Sequence, residues 1–341
     1  MPSAAPDVDA APSWQNDIRA ARLPLKALLD RLGLDAAMLP YGVIADPAFA
    51  MMVPPHTLSL IRPGDARDPL LLQVLARADE QVPGKRITSR DPLAEAGFTA
   101  GQGILRKYGS RALLLVSGAC AIHCRYCFRR HYDYGASIIP QSGLDAALAT
   151  LAADPAITEV ILSGGDPLTL SDTRLSAVLA ALAAMRQVRI IRIHTRTLTV
   201  VPARVTPALL AMLAGLGKPV VIVTHTNHAR ELDAVVQAAL LSVRGAGVQL
   251  LNQAVLLAGI NDDTGVLAAH GRRLLECGVL PYYLHMPDPV EGASHFDVPL
   301  ARAREIESEL RADLPGYLVP RFVAEIPGAP SKVPLWALPD T

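Results

Sequence analysis

Ala112 to Arg130 reads ALLLVSGACAIHCRYCFRR, and this stretch decides the fold. Its opening, Ala112 to Val116, is an unbroken apolar run of strand length, the pattern of a strand buried on both faces. Small residues follow, and then Cys120, Cys124 and Cys127 in the spacing C-x3-C-x2-C. A buried strand that hands reactive side chains to the loop at its C-terminal end is the working unit of a βα barrel.

Working outward, the unit recurs. Glu159 to Leu162, Val188 to His194, Pro219 to Thr224, Val248 to Ala254 and Val279 to Leu284 are further strand-like runs, separated by Ala/Leu-rich helical stretches. That rhythm predicts an α/β fold with a parallel sheet, and six strands fit a partial (β/α)6 TIM-like barrel. A doubly wound open sheet is the alternative arrangement of the same elements. Polar and reactive residues gather where the strands end: Gly164, Gly165 and Asp166 after the second, His194 at the third, His225 after the fourth, Gln253 near the end of the fifth, His285 and Asp288 after the sixth. Residues 1–100 lack the rhythm and read as a mainly helical N-terminal extension, with a helical pattern from Ile18 to Leu32; 101–315 read as the barrel, and 316–341 as a C-terminal segment.

The chain of 341 residues is 51% hydrophobic and 19% charged, enough to bury a large core. Lys and Arg total 32, as do Asp and Glu, so no global field draws it to a nucleic-acid backbone or an anionic membrane. Its start, MPSAAPDVDAAPSW, has acidic residues and prolines but no Lys or Arg, unlike a secretory leader, and Arg, Gly or Pro interrupts every apolar stretch before bilayer length. The expected location is cytoplasmic, with neither nucleic acid nor membrane as partner. Four cysteines are too few to staple a chain of this size, and the clustering of three suggests ligands instead. The fourth, Cys277, ends the helical stretch from Arg272 and reads as a small buried group.

Three thiolates can hold three irons of a 4Fe-4S cluster and leave the fourth iron open, whereas electron-carrying clusters normally take four protein thiolates. A zinc site completed by His123 or His131 is the competing reading, although a structural zinc site prefers a second ligand pair farther along.

With Tyr126 before its last cysteine, the segment resembles the signature of the radical SAM superfamily. The resemblance implies that the open iron binds S-adenosyl-L-methionine (SAM), which electron transfer cleaves to an adenosyl radical. Gly164, Gly165 and Asp166 resemble the superfamily's glycine-rich SAM contact, where small residues admit a ligand close to backbone. From Tyr108 to Lys332, the motifs CRYCFRR, SGGDPL, RTLTVVP, NQAVLL and GIND, in that order, are similar to those of lysine 2,3-aminomutases.

Such enzymes hold their substrate on pyridoxal 5′-phosphate (PLP), which needs a lysine amine for its resting Schiff base. The chain has five lysines, and Lys332, after Gly328-Ala-Pro-Ser, stands at the position of the family's PLP lysine, with one glycine where free-lysine enzymes carry several. The same resemblance assigns Arg129 to the carboxylate of L-lysine and Asp288 and Glu325 to its distant ammonium, Glu325 replacing a family aspartate. Charge-assisted pairs of this kind suit a substrate charged at both ends. Tyr108 and Arg111 match residues around the PLP ring and phosphate, and His225 and Gln253 match positions near SAM.

Ser331-Lys-Val-Pro, Gly316-Tyr-Leu-Val-Pro and Tyr282-Tyr-Leu-His resemble the branch that makes (R)-β-lysine for modification of elongation factor P, as does the end at Thr341 without a further cysteine-bearing segment. This implies functional links to the factor, to its lysyl ligase and to an external electron donor. A free-lysine enzyme or an aminomutase for another amino acid such as glutamate is the nearest alternative. Two readings from other classes are an RNA-modifying radical SAM enzyme, which usually needs more cysteines or a basic module, and a non-catalytic iron-sulfur or zinc interaction protein.

Overall fold

The computed structural model describes residues 13–139 and 143–339, so nearly all of the N-terminal stretch read above for a leader lies outside the described residues. A single sheet carries β1 (Thr99–Gly101), β2 (Ile104–Tyr108), β3 (Arg111–Ser117), β4 (Glu159–Gly164), β5 (Ile190–Thr195), β6 (Val220–Thr224), β7 (Gln249–Val255), β8 (Leu280–His285), β9 (Arg321–Ala324) and β10 (Val333–Pro334), side by side in sequence order. Neighbours from β3 to β9 run parallel; β1, β2 and β3 pair antiparallel at one edge, and β9 with β10 at the other. The six apolar runs are β3 to β8, and the sequence-ordered parallel sheet has the topology of a partial βα barrel. β9 adds a seventh parallel strand whose four residues were too short a signal to read.

Four of the helices between the strands begin at side-chain caps. Ser171, Thr206, Asp233 and Asp263 accept from the backbone N–H of Arg174, Leu209, Val236 and Val266 at the starts of Asp172–Ala184, Pro207–Ala214, Ala234–Gly245 and Thr264–Glu276. Each cap satisfies an otherwise orphaned donor and contributes about 0.5–2 kcal/mol. Leu175, Leu179, Leu182, Leu240 and Leu274 pack from these helices onto Leu162, Ile191, Ile193, Ile222 and Leu250 of the sheet. Strand alternation turns the intervening residues the other way: in β5, Ile191 and Ile193 are buried under helices while Arg192 and His194 line an internal cavity. Cys277, just beyond Glu276, is fully buried in the same layer, as read.

The extension is helical only in part. The pattern from Ile18 to Leu32 is two helices, Trp14–Ala20 and Leu25–Leu32, because Pro24 interrupts it and serves as the second helix's N-cap residue. Trp14, Leu28, Leu32, Leu71 and Leu75 form a core that also takes in Ala121 and Ile122 from the cysteine loop and Val200 and Val201 from beyond β5. The segment before the barrel therefore packs against the cysteine loop. Among the described residues no helix is long and apolar enough to cross a membrane.

Candidate active site

A cavity of about 500 Å³ is lined by every residue assigned above to cluster, cofactors or substrate: Cys120, Cys124 and Cys127, Gly164, Gly165 and Asp166, His225, Gln253, Asp288, Glu325 and Lys332, together with Tyr108, Arg111 and Arg129; of the two zinc candidates, His131 does not line it. The size suits organic cofactors. Loops after successive strands deliver most of these residues, while Tyr108 and Arg111 come from the β2–β3 hairpin.

The cysteine loop is braced from two sides. Arg125, with no exposed surface, sends Nε and Nη2 to the two carboxylate oxygens of Glu80 at 2.7 and 2.5 Å, and Arg130 joins the same carboxylate. On the other side, Gly165 N–H donates to the carbonyl of Ser117 and Asp166 N–H to that of Ala119, each at 2.7 Å. This contact explains the glycine pair. A Cβ on Gly164 would lie 2.2 Å from the oxygen of Ser117, and one on Gly165 would lie 2.4 Å from that of Ala119. The Asp166 carboxylate is engaged by the protein itself, accepting from the backbone of Leu168, Arg196 and Thr197 and from the Thr195 hydroxyl. Its side chain thus locks two loops together.

Burial pushes the Cys120 thiol well above its ordinary value and Cys127 up to about 11, with the neighbouring cysteines adding to both. All three thiols are free. Among the described residues no three His, Cys, Asp or Glu side chains are gathered closely enough to hold one ion, whereas each thiolate of a cube takes a different iron. Three soft donors in one loop thus fit the cluster's donor set.

Elsewhere in the cavity lining, Lys332 Nζ meets Glu325 Oε2 at 2.6 Å, Lys107 Nζ meets Oε1 at 3.0 Å, and the Tyr108 hydroxyl reaches the same oxygen at 3.5 Å. Burial would raise Glu325, but Lys332 and then Lys107 outweigh it and bring the carboxyl down to about 2. Asp288 differs: burial, reinforced by the charge of Glu325, lifts it to about 7. The two carboxylates assigned to one ammonium are therefore shifted in opposite directions. Arg111 stacks over the Tyr108 ring at 4.3 Å, and Lys332 Nζ lies 5.5 Å from the ring centre of Tyr283.

Arg129 is buried and paired. Its Nε and Nη2 donate to Glu95 at 2.7 and 2.6 Å, and Nη1 donates to Ser163 Oγ and the Gly164 carbonyl, both at 3.2 Å. Burial works against the charge, but Glu95 prevails and holds the guanidinium above its ordinary value. A substrate carboxylate would have to share the fork with Glu95.

Three imidazoles complete the walls. Nε2 of His194, His225 and His285 is in each case buried without a partner, and burial lowers His194 well below its ordinary value and the other two to about 3. Orphaned, uncharged ring nitrogens of His194 and His285, both within the influence of Lys332, are what a polar cofactor would satisfy, so the cavity fits PLP as well as the cluster.

Lys107, Glu95 and Arg196 were not among the sequence candidates. The first two make contacts 218 and 34 residues away in the chain, which no local pattern encodes. Arg196 lay inside the RTLTVVP motif, and that was its only signal.

Residues 114–264 match the radical SAM superfamily. The chain is 44% identical over 311 residues to the L-lysine 2,3-aminomutase of Escherichia coli strain K12, covering 90% of each chain. It is 38% identical over 320 residues to the Haemophilus influenzae L-lysine 2,3-aminomutase, covering 94% of each. Against that of Clostridium subterminale it is 36% identical over 286 residues, 84% of this chain and 68% of that one.

Proposed function

The chain belongs to the L-lysine 2,3-aminomutase family of the radical SAM superfamily, and from that premise we propose that it converts L-α-lysine to (R)-β-lysine for the modification of elongation factor P. It is an isomerase that works with a 4Fe-4S cluster, SAM and PLP. The observation that carries the reading is the convergence on one cavity of the three thiols, Lys332 and the charged residues Arg129, Asp288 and Glu325.

When bound, the cluster with SAM supplies hydrogen-abstracting radical chemistry, and PLP supplies the carbonyl that holds an amino group. The chain's residues do the rest. Cys120, Cys124 and Cys127 would hold the irons, and Lys332, whose Nζ meets Glu325 at 2.6 Å, would anchor PLP. Arg129 orients the α-carboxylate of lysine, with Glu95 fixing the plane of the fork. Asp288 and Glu325 receive the side-chain ammonium, and that cation favours the ionised form of Asp288. Tyr108 and Arg111 border the PLP ring and phosphate; His225, Gln253 and the Gly164–Asp166 loop border SAM. The walls position the partners and keep water from reactive species. An external donor supplies the electron, and a separate ligase attaches the product to the factor in the cytoplasm.

Two of the motifs that point to the elongation-factor branch face this cavity: His285 ends the Tyr282-to-His285 motif, and Lys332 lies in Ser331-Lys-Val-Pro. The test is anaerobic. The reconstituted enzyme receives SAM, dithionite and labelled L-lysine, and chromatography looks for (R)-β-lysine, with Cys124→Ala as control. A second incubation adds elongation factor P and its ligase and reads the factor's mass. Cluster-dependent β-lysine that appears on the factor supports the reading; β-lysine that never reaches it leaves a free-lysine aminomutase; SAM cleavage with unchanged lysine overturns the substrate.

A further inference from the structure

One charged side chain in the cavity wall is in direct contact with the cysteine loop. Arg196, immediately after β5, is 6% exposed. Its Nη1 donates to Sγ of Cys124 at 2.7 Å and to the Tyr126 hydroxyl. Its Nη2 donates to Gln73 Oε1 at 2.8 Å and to Glu231 Oε2 at 2.7 Å. The backbone N–H of Arg196 is tied to Asp166 Oδ2 at 2.7 Å, so the residue is fixed at both ends. The frame around it is equally closed: Asn227 Nδ2 donates to the Tyr126 hydroxyl at 2.7 Å and to Gln73 Oε1 at 3.0 Å, and Gln73 Nε2 donates to Glu231 Oε1 at 3.2 Å. Nε of Arg196 is left buried with no protein partner, in the wall of the cavity.

A buried guanidinium is costly to desolvate and is retained where it does something that an apolar residue cannot. Glu231 cancels its charge but does not turn its donors away from Cys124. The sulfur therefore faces an oriented N–H whose strength is moderated by a carboxylate on the far side of the same group.

We propose that Arg196 is a tuning residue for the cluster held by Cys120, Cys124 and Cys127: its N–H to the Cys124 sulfur raises the midpoint potential, and Glu231 limits the rise. The inference rests on the cluster assignment in the function proposed above. Reduction adds one electron to the cluster and no proton, the electron coming from a low-potential one-electron donor, dithionite in vitro. The added negative charge spreads onto the thiolate sulfurs, where a charge-assisted donor in low dielectric stabilises it. Glu231 opposes that charge through the shared guanidinium, so removing the arginine and removing the glutamate act with opposite sign. A purely structural role predicts no such opposition.

The experiment uses the full chain, reconstituted anaerobically with iron and sulfide and without SAM. Its midpoint potential is read by electron paramagnetic resonance during a dithionite titration, alongside iron counts. Arg196→Met shifts the midpoint to more negative potential, and Glu231→Gln shifts it to more positive potential. If Arg196→Met takes up no cluster, the sign of the Glu231→Gln shift decides. Unchanged potentials, shifts in the same direction, or loss of the cluster from both variants would overturn the inference. A wild-type chain that assembles no cluster would overturn the cluster assignment itself, and this inference with it.

Discussion

Nζ of Lys332 lies 2.6 Å from Oε2 of Glu325, while Lys107 holds the other oxygen at 3.0 Å, so one carboxylate faces two ammonium groups. Burial opposes its ionisation, yet Lys332 and Lys107 bring Glu325 from 4.5 to about 2. A carboxyl depressed in the folded state stabilises the protein above its unfolded value and loses that contribution as pH falls through the folded one. Glu325→Gln is therefore expected to lower Tm at neutral pH and to flatten its decline between pH 4.5 and about 2. The contribution removed is up to about 3 kcal/mol. Thermal denaturation of PLP-free protein across that window checks it; an acid slope as steep as in the wild type would place the effect elsewhere.

Lys332 and Lys107 share this carboxylate, but the assignment gives PLP to Lys332 alone. Lys332→Ala should abolish the Schiff-base absorbance of PLP-loaded protein, and Lys107→Ala should retain it. Borohydride reduction followed by peptide mass analysis reads the same distinction covalently. A pyridoxyl group on Lys107 in the wild type would reverse the assignment.

How far the sequence carried can be judged at these residues. Strands β3 to β8 were legible because each is a run of apolar residues long enough to be buried between layers. β1, β9 and β10 were not: three, four and two residues hold too little pattern, and their pairing is decided by tertiary contacts. The cysteines stood out in the sequence by their spacing and Lys332 by a resemblance, and the structure brings all four to one cavity. Glu95, Lys107 and Arg196 escaped because what matters about them is the group each one faces. A buried ion pair leaves no periodicity, and its two halves need not be close in sequence.

Asp288 offers a pH test with the opposite sign. Burial and the charge of Glu325 raise it from 3.8 to about 7. In this pair the folded state binds the proton more tightly, so the substrate-free protein loses stability as pH rises from about 4 to 7. A cationic substrate favours the ionised form. Lysine binding to enzyme lacking reductant should therefore tighten as pH rises through about 7, and Asp288→Asn should remove that dependence. Isothermal titration calorimetry at several pH values measures both; an identical pH profile in the variant would exclude Asp288 as the titrating group.

The glycine pair makes a packing prediction. Gly165→Ala would place a methyl 2.4 Å from the oxygen of Ala119, and the cysteine loop would have to move. Overpacking of this kind costs about 1–3 kcal/mol. The expected result is a lower Tm together with fewer irons bound per chain. Gly245→Ala, at the end of a helix with nothing within 4 Å, is the control expected to leave both unchanged.

The edge position of Lys332 has a consequence in time. It directly precedes β10, a two-residue strand that pairs with β9 alone, beyond a turn at Gly328. Short edge elements open at low free-energy cost while the strands behind them stay closed. The position of Lys332 thus depends on an edge pairing and not on the parallel strands that carry the thiols. What limits that opening is Leu335, the residue after β10, which is fully buried against Leu284, Leu318 and Phe322 and pins the strand to the core.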